Sequence, residues 1–278
     1  MNDPDASELV ARAREALAQS GRHIRAFDVR GARMFVKRLA PPHRHWFTTG
    51  PVRRFITSAT GFAPLRLAPA DIAAAWRPDF ELVRLDAMAR SGVRVARVLA
   101  RAPDLFVLED GGPDVARRLP SWSAAVRRRE LGRLADDLAQ LHRAGQWHGA
   151  AHIKNVTIDA DGGFRRIDFE ENPGALLPLP IVQAADLLQF LNTIALAGPI
   201  DERESESLLV ELVERYFERF PSDGVRRTIR RGLPWLESGL GIAVLFGRRS
   251  SKGLRRARIE ARVLAEAIGG RRRNLGFR

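Results

Sequence analysis

The first forty residues show two kinds of apolar spacing. In residues 5–19 apolar side chains recur at three- and four-residue intervals, which predicts an amphipathic helix. The runs HIRAFDV at 23–29 and ARMFVKRL at 32–39 are strand-like instead. The pair Arg30-Gly31 between them is typical of a tight hairpin turn. The chain therefore begins with a helix followed by an antiparallel hairpin.

The next seventy residues contain a second helix and a second strand pair. Residues 41–76 are rich in proline and predict irregular structure. A helix is predicted over residues 78–90, since Ser91-Gly92 ends the helical pattern. The runs VRVARVLA at 93–100 and DLFVLED at 104–110 predict another antiparallel pair.

Helical spacing dominates after residue 120. A long helix is predicted over residues 122–144, with Gly145 as its end, followed by a short hairpin made of VTID and FRRIDF. Further helices are predicted at 181–196, 203–219, 223–231 and about 250–268. The order predicts an α+β protein. Residues 1–109 form a small antiparallel-sheet lobe, and residues 110–278 form a larger helical lobe.

Two segments bear on where the protein works. The N-terminal sequence MNDPDASELV is acidic and has no apolar core, so a secretory signal peptide is not predicted. Residues 173–200 carry little charge, but four prolines and a central Asp186 favour a loop and buried helix over a bilayer span. The chain has no cysteine, which excludes disulfides and agrees with a reducing compartment. We expect a cytoplasmic protein, with a position at the periphery of the inner membrane as an alternative.

The charge of the chain is strongly positive. Its 46 Lys and Arg residues against 33 Asp and Glu residues leave +13, and the segment from Gly247 onward supplies nine of these charges. Such a field favours anionic partners. An anionic membrane or glycolipid surface is one such partner, and packing of this segment on the helical lobe is the alternative. Nucleic acid is unlikely as a partner, because no recognition motif accompanies the charge. The apolar residues on one side of the segment are Leu254, Ile259, Val263, Leu264 and Ile268.

Charged and amide side chains follow the order that ATP-dependent phosphoryl transfer needs. The reaction uses a lysine on the phosphates, a carboxylate that orients the lysine, and Asp and Asn ligands for magnesium. Lys37 ends a predicted strand, and Glu81 lies early in the next helix, suitably placed as its partner. Asn155 follows a loop, and Asp168 ends an apolar strand. Asp186 can accept hydrogen bonds from the loop backbone and brace it.

The stretch LHRAGQWHGAAHIKN, followed by VTIDADGGFRRIDFEEN, resembles the protein-kinase-like superfamily. Within it, the chain looks most like the bacterial branch of lipopolysaccharide (Kdo-type) kinases and aminoglycoside-type phosphotransferases. In that branch LH, a His, an Asn, a strand and an Asp-Phe pair occur in the same order. The resemblance covers most of residues 23–200. It implies a two-lobed fold with a nucleotide cleft between the lobes, and ATP and Mg²⁺ as cofactors.

The resemblance also implies roles for individual residues. Lys37 would be the phosphate-binding lysine, with Glu81 as its partner. Asp168 and Asn155 would hold the metal. The hinge against which adenine docks would begin at Glu109 and Asp110.

Three features depart from the family pattern. Ala150 stands where the family has its catalytic Asp, and no G-x-G-x-x-G loop precedes Lys37. Glu170 follows the Asp-Phe pair in place of glycine. A positioned proton acceptor contributes about 10²–10⁴-fold to rate, so its loss weakens transfer without abolishing it. Two hypotheses stay open: a phosphotransferase acting on a lipopolysaccharide-type or small-molecule hydroxyl, and a non-catalytic pseudokinase that regulates a partner.

Every candidate residue also has a structural interpretation. Lys37 and Glu81 can be solvated surface residues, and Asp168 can cap a turn. His148 is expected to be a structural histidine bonded to the backbone. His152 is a minor candidate for a side chain that points into the cleft.

Overall fold

The computed structural model describes residues 5–19, 21–39, 77–245 and 252–269. The predicted irregular stretch at 41–76 lies outside the described residues. The strands are β1 (Ile24–Val29), β2 (Ala32–Arg38), β3 (Val98–Arg101), β4 (Leu105–Glu109), β5 (Val156–Ile158) and β6 (Phe164–Arg166). The helices are α1 (Ala6–Ala18), α2 (Phe80–Arg90), α3 (Val115–Arg118), α4 (Ala124–Arg143), α5 (Leu179–Ile194), α6 (Glu202–Arg219), α7 (Asp223–Leu245) and α8 (Lys252–Gly269).

The N-terminal strands form one antiparallel sheet in the order β1-β2-β4-β3. The predicted hairpin between β1 and β2 is confirmed, and its two turn residues, Arg30 and Gly31, both have positive φ, at 51° and 79°. This conformation is the two-residue turn that matches strand twist, and glycine reaches it without a steric cost. The predicted second pair, β3 and β4, is also antiparallel.

The two faces of this sheet have different neighbours. Met34 and Val36 of β2 point to one face, where they are buried with Leu9, Ala13 and Leu17 of α1. Because strand side chains alternate, the residues between them point to the opposite face. That face carries Arg33, Phe35 and Lys37 and borders a cleft. Helix α1 therefore covers the back of the sheet and leaves the front open to the rest of the molecule.

The larger part of the molecule is helical, and its apolar core continues to the front of the sheet. Phe106 and Leu108 of β4 and Leu85 of α2 belong to the same buried cluster as the apolar faces of the C-terminal helices. Helix α5 lies in the middle of that cluster, as its apolar composition predicts, with Leu187 and Leu191 fully buried. The molecule is thus α+β, with an antiparallel sheet at one end and a larger helical part.

Two boundaries differ from the sequence prediction. Strand β6 ends at Arg166, so Asp168 lies just after a strand rather than at its end. Helix α7 continues to Leu245, well past the predicted end at residue 231. It includes Pro234, a residue normally taken as a helix breaker, which explains why the pattern predicted a shorter helix.

The C-terminal helix α8 packs on the protein through its apolar side. Leu254, Ile259, Val263, Leu264 and Ile268 are all buried. This resolves the two alternatives for these side chains, because an apolar face that packs on the helical part does not also insert into lipid. Among the described helices, none has the length and apolar character needed to cross a membrane.

Candidate functional site

The site is built around the ammonium of Lys37. Its Nζ lies 2.8 Å from both carboxylate oxygens of Glu81 and 2.9 Å from Oδ1 of Asp168. Oε1 of Glu170 lies 3.0 Å from the same nitrogen. Strand β2, helix α2 and the segment after β6 each contribute to this cluster, so residues far apart in sequence meet at one point. One ammonium faces three carboxylates.

The surplus of carboxylates controls the ionisation of the cluster. Burial alone would lower the pKa of Lys37, but the charges of Glu81, Asp168 and Glu170 outweigh it and raise that pKa above its ordinary value. Burial would likewise raise the pKa of Asp168, yet the charge and hydrogen bond of Lys37 hold it below its usual range. Lys37 and Asp168 are therefore held in their ionised forms. Burial, together with the charges of Asp168 and Glu170, raises the pKa of Glu81 in spite of the opposing charge of Lys37.

Asp168 is held in an uncommon backbone conformation. Its φ is +70°, in the left-handed region that side chains other than glycine rarely adopt. The next residue, Phe169, is fully buried and stacks on the ring of His148 with centroids 4.6 Å apart. A left-handed Asp costs on the order of 1–3 kcal/mol and persists only where its surroundings impose it, most often at functional sites. Phe169 is the anchor that imposes it here.

Asp186 holds the backbone of the loop before Asn155 through hydrogen bonds. This buried carboxylate accepts the backbone N–H groups of His148 (2.6 Å) and Gly149 (2.8 Å), as the sequence predicted. It also lies 3.3 Å from Nε2 of His142, whose Nδ1 is 2.6 Å from the hydroxyl of Tyr216. A carboxylate only accepts, so Nε2 of His142 donates and the tyrosine hydroxyl donates to Nδ1. Both oxygens of Asp186 and both ring nitrogens of His142 thus have partners, whereas Nε2 of the buried His148 has none among the described residues.

Helix α5 braces more of the loop than Asp186 alone. Gln189 and Thr193 lie three and seven positions beyond Asp186, on the same helix face. Their side-chain oxygens accept the backbone N–H groups of Ala151 (3.1 Å) and Ile153 (3.3 Å). Gln189 and Thr193 were missed by the sequence analysis, although their helical spacing from Asp186 is a signal that could have found them.

Within the loop, Asn155 and His148 take fixed positions. The amide nitrogen of Asn155 donates to the carbonyl of Ala150 at 2.9 Å, which leaves the amide oxygen as the atom able to meet a ligand. Nδ1 of His148 lies 3.3 Å from the backbone nitrogen of Ala150, so this histidine bonds to the backbone as expected. Burial, reinforced by the charge of Arg166, lowers the pKa of His148 to about 4. It is neutral at physiological pH.

A cleft of about 300 Å³ joins these elements. This volume lies at the lower end of the range of small-molecule pockets. Its polar and charged lining residues include Lys37, Glu109, Asp110, Asn155 and Asp168, so five predicted site residues border one cavity. Glu81 and Asp186 stand behind the lining, where they hold Lys37 and the loop.

Apolar side chains line the cleft along its length. They are Ile24, Phe35, Leu108 and Ile167, and Ile24 lies opposite Lys37 in the β1–β2 register. In the β2–β4 register, Met34 lies opposite Glu109 and Lys37 lies opposite Phe106. Three residues of strand separate these positions, or about 10 Å, so the ammonium lies well away from the Glu109 end. An elongated ligand with a flat apolar part and a charged part matches this layout.

The segment from Glu109 to Gly112 joins the sheet to the helical part. Oε1 of Glu109 accepts the backbone N–H of Arg97 at 2.8 Å, and Oδ1 of Asp110 accepts that of Gly112 at 2.8 Å. A Cβ at Gly111 would lie 2.4 Å from Oγ1 of Thr157, and one at Gly112 would lie 2.3 Å from the carbonyl oxygen of Ile158. Glycine is therefore required at both positions for this wall of the cleft to close on β5. The sequence analysis missed both.

Three further cations line the cleft: Arg33, Arg117 and Lys154. Arg33 lies 3.9 Å from Asp110 and Arg117 lies 3.1 Å from Asp114, and both of these carboxylates also line the cleft. The sequence analysis did not single them out, because nothing in their spacing distinguishes them from other basic residues. The cleft thus combines a negative cluster at Lys37 with cations around its rim.

This charge pattern suits a divalent cation held together with an anionic ligand. Carboxylate and amide oxygens, which Asp168 and Asn155 provide, are ligands that Mg²⁺ accepts, and it commonly keeps only one or two protein ligands beside phosphate and water. Within the described residues, His, Asp and Glu side chains do not gather in a group of three or more that could hold a metal ion by itself. The residues present therefore fit a metal that arrives with phosphates.

A second cavity, of about 480 Å³, lies behind α2. Arg94, Arg97, Arg101 and Arg165 line it, but each of these guanidinium groups pairs with a carboxylate. This cavity has a larger volume than the cleft. The cleft is the better candidate site because it borders charges in excess, a left-handed Asp and a braced loop.

The sequence analysis and the geometry agree on which residues meet. Lys37, Asn155 and Asp168 line the cleft together with Glu109 and Asp110, Glu81 holds Lys37 from behind the lining, and His148 and Asp186 belong to the supporting loop contacts. The roles inferred for these residues stay predictions. Neither models of protein families nor the sequences of curated proteins give a match to this chain.

Proposed function

We propose that this chain is a kinase-like protein of two lobes that binds Mg-ATP in the cleft and transfers the γ-phosphoryl group to a hydroxyl of a lipopolysaccharide-type or small-molecule acceptor. The observation that carries the proposal is the convergence of Lys37, Glu81 and Asp168, which come from three separate elements, on a cavity that also borders Asn155. A solvated surface lysine does not collect two buried or part-buried carboxylates by chance.

The lining of the cleft supports a nucleotide as the ligand. Phe35 on one side and Ile167 on the other would sandwich a purine, beside the segment that starts at Glu109 and Asp110. Lys37, about 10 Å along β2, would reach the phosphates. Glu81 keeps the ammonium aimed into the cleft, because both of its oxygens bind Nζ.

Catalysis in this proposal depends on stabilising the negative charge of the transferring phosphates. Asn155 and Asp168 would hold Mg²⁺, which, when bound, neutralises the charge of the transferring phosphates. The acceptor oxygen forms its bond to Pγ while the bond from Pγ to the bridging oxygen breaks, and ADP leaves with that electron pair. Lys37 stabilises negative charge on the phosphates. In a loose transition state the nucleophile loses its proton late, so these electrostatic contributions dominate the rate.

A non-catalytic pseudokinase is the second candidate, and Ala150 is the observation that favours it. This form would bind the nucleotide with the same residues and present the resulting shape to a partner. The protein would act in the cytoplasm under either candidate. The basic residues of α8 that stay outside the apolar contact, such as Arg255, offer an electrostatic contact for an anionic membrane or glycolipid surface.

One experiment separates these candidates. Mg-ATP at a hundredfold excess over Kd should stabilise the protein by about 2.7 kcal/mol in thermal unfolding. Phosphate release is then measured in single turnovers for the wild type and for Asp168→Ala. We expect the wild type to exceed the variant by at least about 10²-fold, since the variant loses a metal ligand. Equal rates with intact nucleotide binding would leave the pseudokinase, and no stabilisation by Mg-ATP would remove both candidates.

A further inference from the structure

One carboxylate oxygen in the segment after Asp168 lacks a hydrogen-bond partner among the residues that the structure describes. Oε2 of Glu171 is buried and makes no hydrogen bond within the described part of the chain. Buried polar atoms nearly always have a partner, and an unsatisfied one costs on the order of 1–3 kcal/mol. Such an atom therefore calls for a ligand, a substrate group or a functional reason for its isolation.

The position of Glu171 relates it to the missing catalytic carboxylate. The backbone around it packs on the loop that contains Ala150. A Cβ at Gly149, the residue before Ala150, would lie 3.0 Å from the carbonyl oxygen of Glu171 and 3.2 Å from Cδ of Pro173. The loop and the segment after Asp168 are thus in direct contact where the family pattern expects an Asp.

The conformation of this segment is held from both sides. Asp168 is fixed in the left-handed region, and Asn172 accepts the backbone N–H of Ala175 through Oδ1 at 3.2 Å, which starts a turn at 173–175. A Cβ at Gly174 would lie 2.5 Å from the ring of Trp147. Glu171 therefore extends from a segment whose two ends are anchored. A proton acceptor has to be held in position relative to the group that it deprotonates.

We propose that Glu171 supplies the general base that Ala150 does not provide, and this inference rests on the proposed function. The Glu171 carboxylate accepts the proton of the acceptor hydroxyl while that oxygen bonds to Pγ. The bond between Pγ and the bridging oxygen breaks, and ADP takes its electron pair. The carboxylate that the family carries in the loop is here donated by the segment that follows Asp168.

The environment of Glu171 suits this work. Burial, together with the negative charges of Asp168 and Glu170, raises the pKa of Glu171 to about 8. A proton acceptor is most effective when its pKa lies near the working pH, where it is both available and basic. Within the described ranges, the lack of a hydrogen-bond donor to Oε2 of Glu171 costs stability. The same lack makes the carboxylate more basic.

The test uses water as the acceptor, so that no substrate has to be known. Single-turnover release of phosphate from Mg-ATP is compared between the wild type and Glu171→Gln, with nucleotide affinity measured for both. We expect the rate to fall at least about 10²-fold while the affinity stays within about twofold, because a base contributes 10²–10⁴-fold. Thermal stability of the variant should be equal or higher, since an unpaired buried carboxylate is removed.

A rescue distinguishes a base from a structural residue. Introducing Ala150→Asp into Glu171→Gln should restore at least about tenfold of the lost rate, because the carboxylate returns to the same contact region from the other side. The competing proton acceptor is His152, which is half-buried, and His152→Asn should leave the rate within about threefold. A large loss with His152→Asn, or a failed rescue, overturns the role of Glu171.

Two further outcomes also overturn it. An unchanged rate in Glu171→Gln, with the wild type still far above Asp168→Ala, means that transfer proceeds without this base while the proposed function stands. Equal rates for the wild type and Asp168→Ala mean that the chain is not an enzyme, and Glu171 then has no proton to accept. The Asp168→Ala comparison therefore separates failure of this inference from failure of the proposed function.

Discussion

Two buried polar clusters lie on opposite sides of the same loop, and they are built on different principles. Around Asp186, two backbone N–H groups and His142 supply donors to one carboxylate. Around Lys37, three carboxylates surround one ammonium. In the first cluster, donors meet both oxygens of one carboxylate, whereas the second brings three carboxylates to one ammonium and opens on a cleft. Matched donors and acceptors specify structure, and an excess of one kind of charge leaves a role for a ligand.

Buried carboxylates of this protein also differ in the direction in which their pKa is shifted. Burial would raise the pKa of Asp186, but hydrogen bonds from His142 and the loop outweigh it and hold the pKa below its ordinary value. Glu260 of α8 is a third buried carboxylate, and Nδ2 of Asn192 donates to its Oε2 at 2.9 Å. Burial raises its pKa to about 8. Asp186 and Glu260 therefore differ in how far their hydrogen-bond donors offset the effect of burial on the pKa.

The largest expected effect tests the completeness of the Asp186 network. Asp186→Ala should lower the free energy of unfolding by about 3–5 kcal/mol, because it leaves His142 and two loop N–H groups buried without their acceptor. Chemical denaturation measures the change. The matched control is Asp201→Ala, which removes an exposed helix cap whose Oδ1 accepts the N–H of Glu204 at 2.8 Å, and which should cost only about 1 kcal/mol. Equal losses in the two variants would contradict the distinction.

A second prediction uses the pH dependence of Glu260. Its folded pKa lies above its ordinary value, so the folded state holds a proton that the unfolded state releases. The stability contributed by this group is fully present below the ordinary pKa and is lost as pH rises toward about 8. Glu260→Gln keeps an acceptor for Asn192 and cannot ionise. The variant should gain about 1–3 kcal/mol over the wild type at pH 8 relative to pH 5.

Denaturation curves at both pH values measure this difference, and subtracting the wild type removes the contribution of other titrating groups. A difference that does not change with pH would show that Glu260 is already ionised in the folded protein. Its environment would then resemble that of Asp186 rather than contrast with it.

The smallest expected effect tests the open cluster. Glu81→Gln removes one charge but keeps an amide oxygen for Nζ of Lys37, and Asp168 and Glu170 still balance the buried ammonium. The free energy of unfolding should therefore fall by only about 1 kcal/mol, less than when a buried charge loses its partners altogether. Lys37 loses its orientation, and the affinity for Mg-ATP should fall roughly tenfold, which is about 1.4 kcal/mol. Fluorescent-nucleotide titration and denaturation measure the two quantities. A stability loss comparable to that of Asp186→Ala would show that Glu81 mainly supports the fold, and would contradict the prediction.

The spacing of apolar residues was sufficient for most elements. The helices at 6–18, 80–90 and 124–143 and the hairpin around Gly31 follow from local periodicity, because each depends on residues a few positions apart. The predicted contacts of Lys37 with Glu81 and of Asp186 with the loop backbone are present as well. They could be anticipated because the types and order of these residues suggested a shared role before the fold was known.

Other features depend on how distant segments approach, which no local pattern encodes. The contact of Glu170 with Lys37, the isolation of Glu171 and the demand for glycine at Gly111 and Gly112 arise only when β4, β5 and the segment after β6 come together. The length of α7 past Pro234 was missed for a related reason, since neighbouring helices compensate for a poor local former.

The amino-acid order was enough to specify an α+β chain, its main helices and hairpins, and a set of residues suited to phosphates and magnesium. Folding in three dimensions decided which of those residues share a cavity, which carboxylates are balanced, and that the apolar side of α8 packs inward. The physical reason is the separation along the chain of the residues that interact. Periodicity reflects hydrogen bonds and side chains within a few residues, whereas charge balance and burial depend on every segment that comes within a few ångströms.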